Sequence, residues 1–310
     1  MTKRATREAF GETLVKLAAE GNDVVAVEAD LSKSTTTATF AKAYPDRFFN
    51  VGIAEANMIG TAAGLAVAGK TAFTGSFAVF GTGRAYDQIR NTVCYAELDV
   101  KLAPTHSGIT VGPDGGTHQM IEDLALMRVL PGMRVLVPAD YNAAKAALRL
   151  AAKTPGPFYV RLGRAALPQV HPDGFELELG RAYVLRQGSD VTLAACGVMV
   201  AEALTAADIL AEQGISAEVI DVASVKPLDE ATLVESATKT GAVVTCEEHS
   251  ILAGMGSAVA ELLSEKAPTR MKRIGVRDVF GTSGDPAELM VYFGLSANDI
   301  VKAASELLGK

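Results

Sequence analysis

The chain has 310 residues, 49% of them apolar and 21% charged, which excludes a disordered or fibrous protein and favours two domains. The net charge is −7 and Lys and Arg are scattered, unlike the basic face of a nucleic-acid binder. The longest uncharged run of the first half, 56–69, is too short for a membrane span of about 18–20 residues, and no apolar secretory core follows the basic Lys3-Arg4-Ala5-Thr6-Arg7 start.

Phe10, Leu14, Leu17 and Ala18 are spaced to predict a helix over 6–20. A buried strand is expected at 23–28, a small-residue helix at 55–68, a strand at 71–76 and a helix at 83–95. Strands at 99–105, 134–137 and 158–161 alternate with helices at 122–129 and 141–153. This rhythm predicts βαβ units and a mainly parallel sheet. Between 164 and 188 the apolar runs thin out and Pro168, Pro172, Gly174 and Gly180 gather. The rhythm then restarts, with strands at 190–196, 216–222, 242–247 and 273–276 and helices at 199–213, 229–239 and 254–266. The expected organisation is two consecutive doubly wound α/β domains, 1–170 and 187–310, joined by a linker at 171–186.

Several chemistries find no motif. There is no phosphate loop of the G-x-x-x-x-G-K-[ST] type and no G-x-S-x-G elbow. His106, His118, His171 and His249 do not fall at metal-ligand spacing, so no metal ligand is assigned. Cys94, Cys196 and Cys246 are odd in number and far apart, which fits a reducing cytoplasm better than a disulfide framework. His171 reads as a solvated linker residue, and Glu247-Glu248-His249, before Gly254-Met255-Gly256, as part of a structural module.

In a parallel sheet, ligands bind beyond the carboxyl ends of the strands, so the segments after strands carry the candidates. The richest is Pro104-Thr105-His106-Ser107-Gly108-Ile109-Thr110-Val111-Gly112-Pro113-Asp114-Gly115-Gly116-Thr117-His118-Gln119. Its glycines let backbone approach a ligand, and its histidines can donate to oxyanions or move protons; the alternative is a polar surface loop with incidental histidines. A second candidate is Glu55, which opens the small-residue helix after Asn50-Val51-Gly52-Ile53-Ala54. Alone it reads as a first-turn acid favoured by the helix dipole; the alternative is a buried carboxyl exchanging a proton with a bound heterocycle. The third is Gly75-Ser76-Phe77-Ala78-Val79-Phe80-Gly81-Thr82-Gly83, whose rings read as core, with room for one to stack on a planar ligand.

Taken together, Gly-Ile-Ala-Glu, Ser-Phe-Ala-Val-Phe, Arg84-Ala85-Tyr86-Asp87-Gln88 and Thr-His-Gln, in that order, resemble the pyrimidine-binding domain of the transketolases, and the likeness runs on through a transketolase C-terminal domain with a mixed sheet. The resemblance implies thiamine diphosphate as cofactor and transfer of a two-carbon ketol unit between sugar phosphates. It implies that Glu55 contacts N1′ of the aminopyrimidine and promotes its proton relay, that Phe80 stacks on that ring with Phe77 beside it, and that Asp30 lies near the cofactor. It also places His118 beside the donor sugar's hydroxyls and carbonyl and Asp114 on the hydroxyl next to the carbonyl. Arg4, Ser34, His106 and Arg164 would hold the sugar phosphate, with Arg161 competing for the role of Arg164.

Gly81-Thr82-Gly83 resembles deoxyxylulose-phosphate synthase more than many transketolases. The Gly-Asp-Gly and later Asn that hold Mg²⁺ or Ca²⁺ on the cofactor's diphosphate have no counterpart: Asp114-Gly115-Gly116 and Gly284-Asp285-Pro286 lack that context. The resemblance is therefore to the C-terminal half of a split transketolase. It implies a separate N-terminal subunit carrying the diphosphate and the metal, and a heterotetramer with two copies of each chain. Related readings are the beta subunit of a 2-oxoacid dehydrogenase decarboxylase and a deoxyxylulose-phosphate synthase-like enzyme. A non-catalytic assembly subunit is the reading from outside enzymology.

Overall fold

The computed structural model describes residues 3–310. In the first half, β1 (Lys3–Ala5), α1 (Glu8–Ala19) and β2 (Val24–Glu28) are followed by the short helices α2 (Ser32–Thr35) and α3 (Ala38–Ala43). Next come β3 (Phe48–Asn50), α4 (Glu55–Val67) and β4 (Thr71–Gly75). The stretch expected as one helix at 83–95 is instead the three-residue α5 (Tyr86–Gln88) between the π-helical turns Val79–Arg84 and Ile89–Cys94. The widened first turn contains Gly81 and Gly83, which favour a regular helix poorly. Beyond it lie β5 (Val100–Leu102), α6 (Asp123–Arg128), β6 (Arg134–Leu136), α7 (Tyr141–Lys153) and β7 (Phe158–Val160). The α7 bounds match the sequence expectation because its start is marked chemically: the Asp140 carboxylate accepts the Ala143 N–H at 2.8 Å.

The second half holds β8 (Ala166–Pro168), β9 (Tyr183–Arg186), β10 (Val191–Ala195), α8 (Met199–Glu212), β11 (Ala217–Asp221) and β12 (Ser224–Lys226). It ends with α9 (Glu230–Thr240), β13 (Ala242–Ser250), α10 (Met255–Lys266), β14 (Arg270–Val276), α11 (Pro286–Tyr292) and α12 (Ala297–Leu308).

Two large sheets result. The first has seven strands in the order β12-β6-β7-β5-β4-β2-β3, parallel except for β12. The second has five, β14-β13-β10-β11-β9, with only β9 antiparallel. The fold is thus two α/β layers, mainly parallel and mixed, as the alternation and the resemblance imply. Strand β12 comes from the second half of the chain yet closes the first sheet, and one apolar cluster runs from Val25 and Met58 to Val225 and Met255. The two sheets therefore share a core.

The linking segment is not featureless. His171, read as solvated, is buried: its Nε2 lies 2.7 Å from Asp221 Oδ2 and its ring stacks on Phe175 at 3.9 Å. Asp140, besides capping α7, accepts the N–H groups of Val170 and His171, which pins this stretch to the first domain. Among the described residues no helix is long and apolar enough to cross a membrane.

Candidate active site

Strands β7, β5, β4 and β2 are neighbours and parallel, so the segments leaving their carboxyl ends meet at one edge of the sheet. After β4, Phe77 pairs with Thr105 as an isolated bridge, and Ala78 N–H donates to Thr105 O at 2.7 Å. That bridge brings the aromatic segment to the histidine loop. Phe77 stacks on the His106 ring with centroids 3.7 Å apart and lies 6.0 Å from Phe80. His118 meets Phe80 edge-on at 5.3 Å. The four rings form one aromatic wall.

Glu55 stands beside this wall at the first position of α4 and is 4% exposed. Its polar side-chain partner is Arg84, whose Nη1 lies 3.3 Å from Oε1. The same guanidinium sits 4.3 Å over the Phe80 ring, so Arg84 links the carboxylate to the stacking aromatic. Asp30 is exposed, with a φ of 63°. Asn50 Nδ2 donates to Asp30 Oδ1 at 3.0 Å, and Asn50 Oδ1 accepts the N–H groups of Asp30 and Gly52. Asp30 is thereby tied to the turn that leads into Glu55.

A second cluster adjoins the first through His106, which adopts a φ of 60°, a backbone strain of order 1–3 kcal/mol that concentrates at functional sites. Arg7 Nη1 lies 3.4 Å from His106 Nε2 and donates to Ser34 O at 2.9 Å. Because Arg7 can only donate, Nε2 accepts, and the ring proton sits on Nδ1, facing Thr105 Oγ1 at 2.7 Å. Burial first, and then Arg7, Arg164 and His118, push the His106 pKa down to about 3, so the ring is neutral near pH 7. Arg164 Nη1 donates to Val111 O at 2.5 Å and pairs with Asp114 Oδ1 at 3.1 Å. Arg7, Val111 and Arg164 from one side and Gly284, Asp285 and Pro286 from the other line a cavity of about 370 Å³. The Nε of Arg7 is buried and has no hydrogen-bond partner.

The structure thus brings Glu55, Phe77, Phe80, His106 and His118 together, and gathers Ser34, through its carbonyl, with His106, Asp114 and Arg164. Arg4 is not among them. It belongs to β1, its guanidinium bonds Glu8 Oε2 at 2.9 Å and Glu12 Oε1 at 2.7 Å, and it lies 3.6 Å over the Tyr141 ring. Arg7 stands in the cluster instead. Its backbone N–H donates to Gly163 O, which sets it next to Arg164, a proximity that the spacing of Arg4 and Arg7 does not reveal. Arg161 does not compete with Arg164: it is buried and paired with Asp123 at 2.7 Å. Arg84 and Asn50 were also missed, although Arg84 stands in a segment singled out by the resemblance. Among the described residues no three His, Cys, Asp or Glu side chains converge to hold a metal.

With this geometry in place, comparison with known proteins is specific. Residues 2–169 match the transketolase pyrimidine binding domain, and residues 180–300 the transketolase C-terminal domain. A putative transketolase C-terminal section of Methanocaldococcus jannaschii is 46% identical over 99% of this chain and 97% of its own length. The 6-deoxy-6-sulfo-D-fructose transketolase subunit SqwH of Clostridium sp. is 46% identical over 97% of this chain and 94% of its own. The solved structure of a split gene transketolase, an inactive beta4 tetramer, is 52% identical, has a TM-score of 0.91 and covers 98% of both chains. The chain belongs to the transketolase family.

Proposed function

We propose that this chain is one subunit of a two-chain, thiamine diphosphate-dependent transketolase, supplying the aminopyrimidine side of the cofactor site and the anion pocket for a ketose phosphate donor and an aldose phosphate acceptor. One observation carries the reading: Glu55 is a carboxylate almost removed from water, at a helix start, beside the half-exposed ring of Phe80. This set fits an aminopyrimidine, because the carboxylate can share a proton with a ring nitrogen while the aromatic face stacks on the ring. When bound, thiamine diphosphate supplies an acidic carbon and an electron sink for the two-carbon unit. Glu55 holds and exchanges the proton at its carboxylate, and Phe80 and Phe77 orient the ring and exclude water. His118, at the Phe80 edge, donates to the sugar's oxygens. Asp114 accepts from a sugar hydroxyl, and Asp30, held by Asn50, borders the cofactor.

The anion pocket is Arg7, Arg164, neutral His106 and the Ser34 turn. Two guanidiniums at one cavity suit a phosphate. Losing one charge-assisted contact of about 1.5–3 kcal/mol corresponds to roughly 10–100-fold in affinity. Arg7→Ala and Arg164→Ala are therefore each expected to raise KM for a phosphorylated donor by about that factor, and much less for its unphosphorylated analogue. Arg4→Ala is expected to leave both within about twofold. Steady-state kinetics on the two donors check this; equal effects on both would remove the pocket assignment.

The diphosphate and its Mg²⁺ or Ca²⁺ are assigned to a partner chain. Two relatives that this chain matches over nearly their whole lengths are described as a section and a subunit. Ile53, just before α4, and Val67, at its far end, are exposed, and a Cβ at Gly60 or Gly64 would meet nothing in this chain, so these small residues serve no packing within it. They suit close approach of the partner helix. The isolated chain is expected to show no turnover, with activity rising at least about 10³-fold on titration with a partner that carries the diphosphate site. Turnover of sugar by the chain alone would overturn the reading.

A further inference from the structure

The glycine-rich loop 105–120 has few side chains with which to hold its own shape, yet it carries both His106 and His118. Beside Arg164, which bonds Val111 O and Asp114 from the first domain, part of what fixes it comes from the second half of the chain. Glu248, on β13, is 4% exposed, and its Oε1 accepts the Thr110 N–H at 2.5 Å. Gly108, at a φ of 77°, leaves room for that carboxylate, since a Cβ there would run into the Glu248 carboxyl carbon. The Glu248 carbonyl accepts Arg161 Nη2 at 3.0 Å, and the same nitrogen donates to Met120 O at 3.3 Å, at the far end of the loop. Two further ties complete the grip: Gln119 Nε2 donates to Thr282 O at 2.9 Å and Ser283 Oγ to Pro113 O at 2.6 Å.

We infer that Glu248 is a positioning residue, by which the C-terminal domain holds the substrate loop, with His106 and His118 at its ends, in the geometry the reaction needs. The inference rests on the proposed role of that loop in binding the sugar phosphate. The contact is one of reach rather than charge: any side-chain carbonyl at the right distance can accept the Thr110 N–H. A small displacement of the loop weakens the contacts of His106 and His118 with the sugar phosphate, which raises KM while the chemistry at the cofactor carbon is kept. Glu55 and Phe80 belong to other segments, held by Arg84 and by the bond from the Phe80 N–H to Phe77 O, so the cofactor side shifts less than the loop does.

The test uses the assembled two-chain enzyme and two variants that separate reach from charge. Glu248→Gln keeps the acceptor and loses the charge; Glu248→Asp keeps the charge and withdraws the acceptor by one methylene. The expected result is a rise of about tenfold in KM for the phosphorylated donor in Glu248→Asp, with kcat and the Kd for thiamine diphosphate within twofold, and near-native constants in Glu248→Gln. If Glu248→Asp does not fold, Gly108→Ala asks the same question from the loop side and is expected to give the same selective rise in KM. Equal KM for the Asp and Gln variants, or an unchanged KM in the variant that folds, overturns the proposal. Arg164→Ala, measured alongside, separates the two readings. If its KM is unchanged, the substrate pocket itself is wrong. If its KM is raised while that of Glu248→Asp is not, only the positioning role fails.

Discussion

Glu55→Gln is expected to lower kcat of the assembled enzyme by about 10²–10⁴-fold, the range that general acid–base catalysis contributes. The substitution is nearly isosteric. Its amide oxygen can still accept from Arg84, which now lies 3.3 Å from Oε1, so the position of α4 and the Arg84–Phe80 contact are retained. What is lost is the exchangeable acidic proton. The fold should hardly notice: a first-turn acid contributes about 0.3–1 kcal/mol through the helix dipole. Turnover, circular dichroism and thermal melts on the same preparation separate the outcomes. A folded, assembled variant with full activity would show that the carboxyl does not relay a proton. A variant that fails to assemble would place Glu55 in docking rather than in chemistry.

Arg161→Ala is expected to do the opposite, costing about 3–5 kcal/mol of stability because it strands a buried charge. Asp123 is fully buried; Arg161 Nε and Nη2 bond its two oxygens at 2.7 and 3.1 Å, and Tyr159 OH donates at 2.6 Å. Burial works to raise the Asp123 pKa, but the charge and hydrogen bonds of Arg161, aided by His249 and Tyr159, outweigh it and hold it below the usual carboxylate range. A depressed native pKa stabilises the fold at pH above the unfolded value of about 3.9, and this is lost as the pH falls through the folded value. Without Arg161, burial dominates and Asp123 takes up a proton more readily. The stability gap between the two proteins is therefore expected to be widest near pH 7 and to narrow on acidification towards pH 4. Urea unfolding at both pH values measures it. A gap independent of pH would mean that the loss comes from packing. Arg164→Ala, by contrast, removes a half-exposed side chain and should change KM with little change in stability.

These two arginines, three residues apart, illustrate what local sequence conveys. Both follow β7, and the sequence offers either for the anion; only the fold turns Arg161 inward to Asp123 and leaves Arg164 at the cavity. Arg4 and Arg7 repeat the case at the other end of the chain: pairing of β1 with β8 sends Arg4 to Glu8 and Glu12, and the Arg7–Gly163 bond sets Arg7 beside Arg164. Helices with a long apolar period, such as α1, α4, α7 and α8, were legible within a few residues. The short strands β5, β6 and β7 were legible too, whereas β1, β3, β8, β9 and β12 were not: so few positions carry no measurable alternation, and the first four of these are partly exposed and lack the buried run of β5 and β7.

By itself the sequence determined the alternation of strand and helix, the segments that leave strand ends, and which residue types at those ends can do chemistry, because each of these is written in neighbouring residues. The tertiary structure alone decided which arginines line the cavity, that β12 closes the first sheet, and that Glu248 accepts the Thr110 N–H from 138 positions away. Such contacts are fixed by sheet order and by the burial of charge against charge, and no local pattern encodes them.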